Sequence, residues 1–228
     1  MKKVKSSIPQ NIVEKPVRDF KQEGALHHDR VTECFLNDIR VGQRIYNRQG
    51  TMILETPIRD GLKHGWEFTW DDDGKLLLIE PYVKGKIHGT AKQYGSEGNV
   101  IGTYTLVHGT GFDIWRQENE DQAVFISEIH SLQDGVPHGC EWQFVSPHRN
   151  LWYERNSYTG KIHGIERIWN SKGRLRRGYP RFYVLDQVVS KQKYLELSQT
   201  DKSLPTYQED DNLPQRHFPQ EVEEILAS

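Results

Sequence analysis

Cysteine is nearly absent from this 228-residue chain; Cys34 and Cys140 are the only two, and they stand far apart. Two isolated thiols make neither a disulfide framework nor a zinc site. Long hydrophobic runs are missing as well. No stretch of about 18 apolar residues occurs, so no bilayer-spanning helix is expected. The basic residues Lys2, Lys3 and Lys5 have no apolar segment behind them, which argues against a secretory signal. Charge of one sign is also lacking: 30 Lys and Arg face 32 Asp and Glu, for a net charge of −2. A nucleic-acid binder is expected to carry a basic face, so no nucleic acid is expected as partner. No nucleophile elbow, phosphate loop or paired metal motif is present. The expectation is a cytoplasmic protein that is not an enzyme and carries no cofactor. Hydrophobic content of 35% still suffices for a folded chain.

What the chain does have is a repeat. GxxHG occurs four times, at 61–65, 85–89, 135–139 and 160–164, and the closing glycines Gly65, Gly89, Gly139 and Gly164 stand 24, 50 and 25 residues apart. The wide interval is two periods with one degenerate copy inside. Units of this length bury apolar surface by stacking on their neighbours. The fifth residue after each closing glycine is aromatic: Trp70, Tyr94, Phe144 and Trp169. The residues between alternate in type, as in Trp66-Glu67-Phe68-Thr69-Trp70, which predicts a strand with two unlike faces. Turn residues follow at 71–74, 96–99, 146–150 and 171–173, and then returning strands. Each unit therefore reads as a β-hairpin, with GxxHG linking one hairpin to the next. The predicted fold is all-β: a single-layer antiparallel meander of hairpins forming one long twisted sheet. Residues 1–38 read as an N-terminal extension, 39–184 as the array, and 185–228 as a C-terminal helix and extended tail.

These copies resemble the MORN-type repeat, in its bacterial variant where GxxHG precedes an aromatic and a glycine turn. The likeness spans roughly residues 40–180 and departs from regularity between Gly102 and Gln133. It implies a solenoid of hairpins without intrinsic catalysis, used for protein or lipid contact. Bacterial relatives are often labelled antitoxin-like. The resemblance transfers no catalytic residue.

The histidines His64, His88, His138 and His163 invite a metal reading. Neighbouring hairpins would hold them roughly 10 Å apart, too far to share an ion ligated at about 2 Å. Bonding to backbone within the link is the simpler role. The middle copy, Val107 to Arg116, is the most irregular. Strict period places its closing glycine near 114, so it arrives early and is followed by a long turn over 117–122. Irregularity in a regular array marks a candidate function. The candidate partner surface is thus His108, Asp113, Trp115 and Arg116, with Glu141 and Trp142 beside it. The acidic residues Glu67, Glu141 and Glu166 read as solvated sheet surface with cross-strand charge pairs, opposite the aromatics. The expected partner is a protein, such as a toxin encoded nearby; an anionic lipid surface, met by Arg174, Arg176, Arg177 and Arg181, is the alternative. His27, His28 and Asp29 read as an isolated loop. After the array, 190–197 reads as a helix capped by Ser190, with Val189, Tyr194 and Leu197 covering the last hairpin. A short helix is expected over 221–226.

Overall fold

The computed structural model describes residues 5–17, 30–145, 150–215 and 217–227. The loop read at 27–29 and most of the turn read at 146–150 lie outside the described residues. The chain forms two compact units, residues 1–109 and 110–228. Both are antiparallel meanders, so the all-β hairpin architecture holds. The single continuous sheet does not, because the strands divide between two sheets.

The first unit carries a ten-stranded sheet. Its strands are β1 (Val13–Pro16), β2 (Arg30–Leu36), β3 (Ile39–Tyr46), β4 (Met52–Arg59), β5 (Leu62–Lys63), β6 (Gly65–Trp70), β7 (Leu76–Val83), β8 (Lys86–Ile87), β9 (Gly89–Tyr94) and β10 (Val100–Leu106). Strands β1 and β2 extend the array into the segment read as an N-terminal extension. Ile8 is buried and would clash with any side chain placed at Gly42. The second unit carries a seven-stranded sheet: β11 (Gly111–Glu118), β12 (Val124–Gln133), β13 (Val136–Val145), β14 (Asn150–Tyr158), β15 (Lys161–Ile168), β16 (Arg181–Val184) and β17 (Gln187–Val189).

Two kinds of turn build both units. Among the described residues, two consecutive residues have positive φ at seven places: Asn37-Asp38, Asp60-Gly61, Lys84-Gly85, His108-Gly109, Asp134-Gly135, Thr159-Gly160 and Leu185-Asp186. Paired positive φ is the mark of the type I′ hairpin turn, whose twist matches that of the strands. The opening glycine of GxxHG is the second residue of that turn. Its closing glycine, as at Gly65 (φ 115°) and Gly164 (φ 133°), also holds positive φ, where a Cβ would strike Ser7 or Asn156. At the other end of the hairpins, Asn47, Asp71, Gly95, Asn119 and Asn170 open matching turns, each donating its N–H to the carbonyl four residues on. In the four turns opened by Asn or Asp, the side-chain oxygen accepts the N–H groups two and four residues later.

The middle copy can now be placed. Gly109 is an opening glycine, not an early closing one, and Gly111 (φ 137°) takes the closing conformation two residues on. The link is shortened by two residues and loses its histidine. The strand that follows is lengthened instead: β11 runs to Glu118, across a bulge between Trp115 and Arg116, and the turn falls at 119–123. Asn119 therefore keeps its interval of 24 residues from Gly95. The long turn expected over 117–122 is corrected accordingly: its first two residues are strand.

The C-terminal segment packs on the second sheet. Helix α1 (Lys191–Ser198) is capped by the Ser190 hydroxyl, which accepts the Lys193 N–H. Tyr194 buries against Ile165, Phe182 and Leu204, with Val189 and Leu197 beside it. Helix α2 (Gln220–Ala227) sets Val222 and Leu226 into a cluster with Ile129, Trp142, Phe144, Leu151 and Trp169. Among the described residues no helix is long and apolar enough to cross a membrane.

The aromatic column differs between the units. Phe144 and Trp169 are buried, whereas Trp70 and Tyr94 are half-buried. Trp169 also donates its indole N–H to the Asn212 carbonyl at 2.7 Å. Trp169→Ala is expected to cost about 3–5 kcal/mol, while Tyr94→Ala costs less; chemical denaturation of both variants checks the order. An unchanged transition for Trp169→Ala would remove that residue from the core.

Candidate partner-binding face

The links are joined to one another by backbone and histidine. In each of four links the second turn residue donates its N–H to the carbonyl of the residue before the previous histidine or its neighbour in register: Gly85 to Lys63, Gly109 to Ile87, Gly160 to Pro137 and Asp186 to Ile162, at 2.7–2.9 Å. The first turn residue donates to the histidine itself. His88 Nδ1 accepts from the His108 N–H at 3.1 Å, His163 Nδ1 from Leu185 at 3.2 Å, and His138 Nδ1 more loosely from Thr159 at 3.5 Å. In the copy that lacks a histidine, the Thr110 hydroxyl accepts from Asp134 at 3.0 Å. His64 departs from the pattern, its Nε2 lying 3.1 Å from the Arg59 guanidinium. Among the described residues no group of three or more His, Cys, Asp and Glu is placed to hold a metal ion.

Strand register then creates one continuous row on the second sheet. Asp113 pairs with His130, His130 with Glu141, Glu141 with Arg155, Arg155 with Glu166, and Glu166 with Arg181. Registered partners share a face, so six residues alternating in charge cross β11 to β16. His130 lies 3.0 Å from Glu128 and 3.6 Å from Asp113. Arg155 donates to Glu141 at 2.8 Å, and the hydroxyls of Tyr153 and Tyr183 donate to Glu166 at 3.3 and 3.1 Å. The side chains of Asp113, His130, Glu141 and Arg155 keep 16–31% exposure. Glu67 and Glu166 are 5% and 9% exposed, which corrects the expectation of a solvated acidic surface. Each is instead hydrogen-bonded: Glu67 accepts from Thr56 at 2.5 Å and from Lys63 at 2.9 Å.

Of the residues singled out from sequence, Asp113, Trp115 and Glu141 are brought onto this face; Trp115 pairs with Glu128, two residues from His130. Arg116 pairs beyond the bulge with Ile126, which packs against the core, and burial lowers its guanidinium pKa. Trp142 lies on the opposite face and is a core residue: it donates to Glu154 at 3.0 Å and meets the edge of Phe218. Its surface is covered by its own chain, so it is not available to a partner. His108 belongs to the first unit, where its ring stacks on His88 with centroids 4.1 Å apart. The row itself escaped the sequence reading. His130, Arg155 and Arg181 become its members only through register, because spacing within one hairpin does not show which residue stands opposite another. Compared with known families the chain matches no family model, and a comparison with curated proteins finds no match.

Two histidines of this unit titrate in opposite directions. Burial alone would lower His130, but bonds to Asp113 and Glu128 and the charges of Asp113 and Glu141 outweigh it and raise it from 6.5 to about 9. His163 is lowered by burial, only partly offset by Asp201. A raised pKa gives stability that is full below the unfolded value and fades as pH rises toward 9; a lowered one gives stability that fades as pH falls below the unfolded value. Denaturation across pH 5–10 is therefore expected to show highest stability near 6.5, and His130→Gln is expected to flatten the alkaline limb while leaving the acid limb. An alkaline limb unchanged in His130→Gln would refute the assignment.

Proposed function

We propose that this chain is a non-catalytic, cytoplasmic protein-binding scaffold of the MORN-like, antitoxin-like or immunity-like kind, and that it meets its partner through the alternating row of the second unit. The observation that carries this reading is the asymmetry of that sheet. One face is covered by the chain's own residues 204–215 and 217–227, with Phe218, Val222 and Leu226 on the core. The other presents charges of both signs, partly exposed, with Trp115 at one end and the exposed Arg181 at the other. Alternating charges give register and discrimination at an interface, since a misaligned partner sets like charges together. An aromatic near such a row is the usual anchor of binding energy. The repeat histidines and acids are engaged in holding the fold, which supports a scaffold over an enzyme.

Trp115→Ala combined with Arg181→Glu changes both ends of the row. Capture from the native cell, followed by titration of the purified partner, is expected to lose at least tenfold in affinity with this pair and nothing with Lys172→Glu at a hairpin tip. Undiminished binding by the double variant contradicts the proposal. So does a chain that binds no protein but floats with anionic vesicles at low salt and is released by high salt, which is the signature of a lipid adaptor.

A further inference from the structure

A cavity of about 690 Å³ opens in the second unit at the hairpin-tip end of β14 and β15. The buried core residues Leu151 and Trp169 line its inner side, and the exposed side chains of Trp152, Lys172 and Arg176 line its mouth. Sites for small molecules commonly run about 300–1,000 Å³, with a few polar groups that fix orientation. Strand register builds this mouth. Leu151 pairs with Phe144 and Tyr153 with Gln143, so Trp152 is the extra residue of a bulge and has no partner across the ladder. A bulge re-aims the side chain it carries. The indole keeps 39% exposure at the edge of the cavity. The same device recurs one repeat later. Trp169 bridges Leu175 as Phe144 pairs with Leu151, which puts Arg176 in the place that Trp152 holds. The Trp152 carbonyl accepts the Trp169 N–H at 2.9 Å, and the Arg176 N–H reaches the Ile168 carbonyl at 2.8 Å. The two residues therefore flank the end of β15 from opposite sides, two strand spacings or roughly 10 Å apart.

Charge and hydrogen bonding select the ligand. Among the described residues no Asp or Glu lines the cavity, and neither Lys172 nor Arg176 has an ion pair. Two unpaired cations call for an anion, and a guanidinium beside an ammonium suits a phosphate. An exposed indole calls for a planar ring to stack on it. Gln215 Nε2 donates to Asn150 Oδ1 at 2.9 Å, which leaves the Asn150 amide N–H groups and the Gln215 carbonyl oxygen to meet the edge of such a ring. A nucleobase carries donors and acceptors on its edge, whereas a phenyl ring carries none. A net charge of −2 offers no basic track for a longer strand. We propose that this cavity binds a mononucleotide, with its base on Trp152 and its phosphate on Arg176 and Lys172. None of these residues belongs to the alternating row, so this site and the face proposed for a protein partner can be tested separately.

The test titrates the full chain by calorimetry with AMP, GMP, CMP and UMP, with the matching nucleosides, which lack the phosphate, and with inorganic phosphate and phenyl phosphate, which lack the base. At least one nucleotide is expected to bind saturably, tenfold or more tighter than its nucleoside and than either phosphate. Trp152→Leu and Arg176→Gln change exposed side chains, so each is expected to keep the melting transition while weakening that nucleotide at least tenfold. Trp152→Phe, which retains an aromatic plane, is expected to stay within threefold of the unaltered chain. Saturable binding by none of the four nucleotides would overturn the proposal. Equal binding of phosphate or phenyl phosphate, the mark of a plain anion patch, would overturn it too, as would unchanged affinity in both Trp152→Leu and Arg176→Gln.

Discussion

The structure depends on a hydrogen bond that crosses from one hairpin to the next: an imidazole Nδ1 accepting a backbone N–H from the following link. A type I′ turn leaves amide groups at the sheet's margin with no strand beside them. Left alone, each would rely on water and the links would be free to shift along the array. His88, His138 and His163 each take one of these amides, and the carbonyl before each histidine takes the next. Both bonds form in the links that follow His88, His138 and His163, each contributing about 1 kcal/mol net, while the link that follows His64 keeps the carbonyl bond alone. Thr110 shows that the requirement is for an acceptor there rather than for imidazole chemistry, because a hydroxyl serves where histidine is missing.

A sheet of one layer has two faces and little interior, so its polar groups must be satisfied within the sheet or by added segments. Both devices are used. In the first unit Glu14 is held below its usual range: burial would raise it, but bonds from Thr32, Arg44 and Tyr46 outweigh that effect. In the second unit the pair Glu154–Arg167 is sealed beneath the C-terminal segment. Breaking such a pair by removing one partner typically costs about 3–5 kcal/mol, so the segment and the pair depend on each other. Covering one face leaves the opposite one, with its row of alternating charges, as the surface on which the proposed scaffold role rests.

The hairpins and the link were legible because they rest on local chemistry. Glycine opens and closes each GxxHG link where positive φ is required, and the aromatic recurs five residues on. The Ser190 cap and the apolar residues of α1 were readable for the same reason. The break into two sheets was not, and neither was the deletion of two residues in the link at Gly109, which is offset by two in β11. A scan for GxxHG sees only the deletion. A scan for the turn-opening residues Asn47, Asp71, Gly95 and Asn119, evenly spaced by 24, would have shown that the period survives. The partner face was half legible: Asp113, Trp115 and Glu141 lie together, but Trp142 and Arg116 turn away, as alternation on a strand requires of a neighbouring residue. Long-range placement, such as Phe218, Val222 and Leu226 lying against Trp142, Phe144, Leu151 and Trp169, left no periodic trace.

The central claim, that the repeat histidines act as backbone acceptors through Nδ1, is read most directly from their tautomers. Long-range 1H–15N correlation spectra at neutral pH are predicted to show His88 and His163 protonated at Nε2 with Nδ1 bare, in slow exchange with solvent for the buried His163. Spectra showing either ring protonated at Nδ1 would contradict the account, since that nitrogen would then be a donor facing another donor.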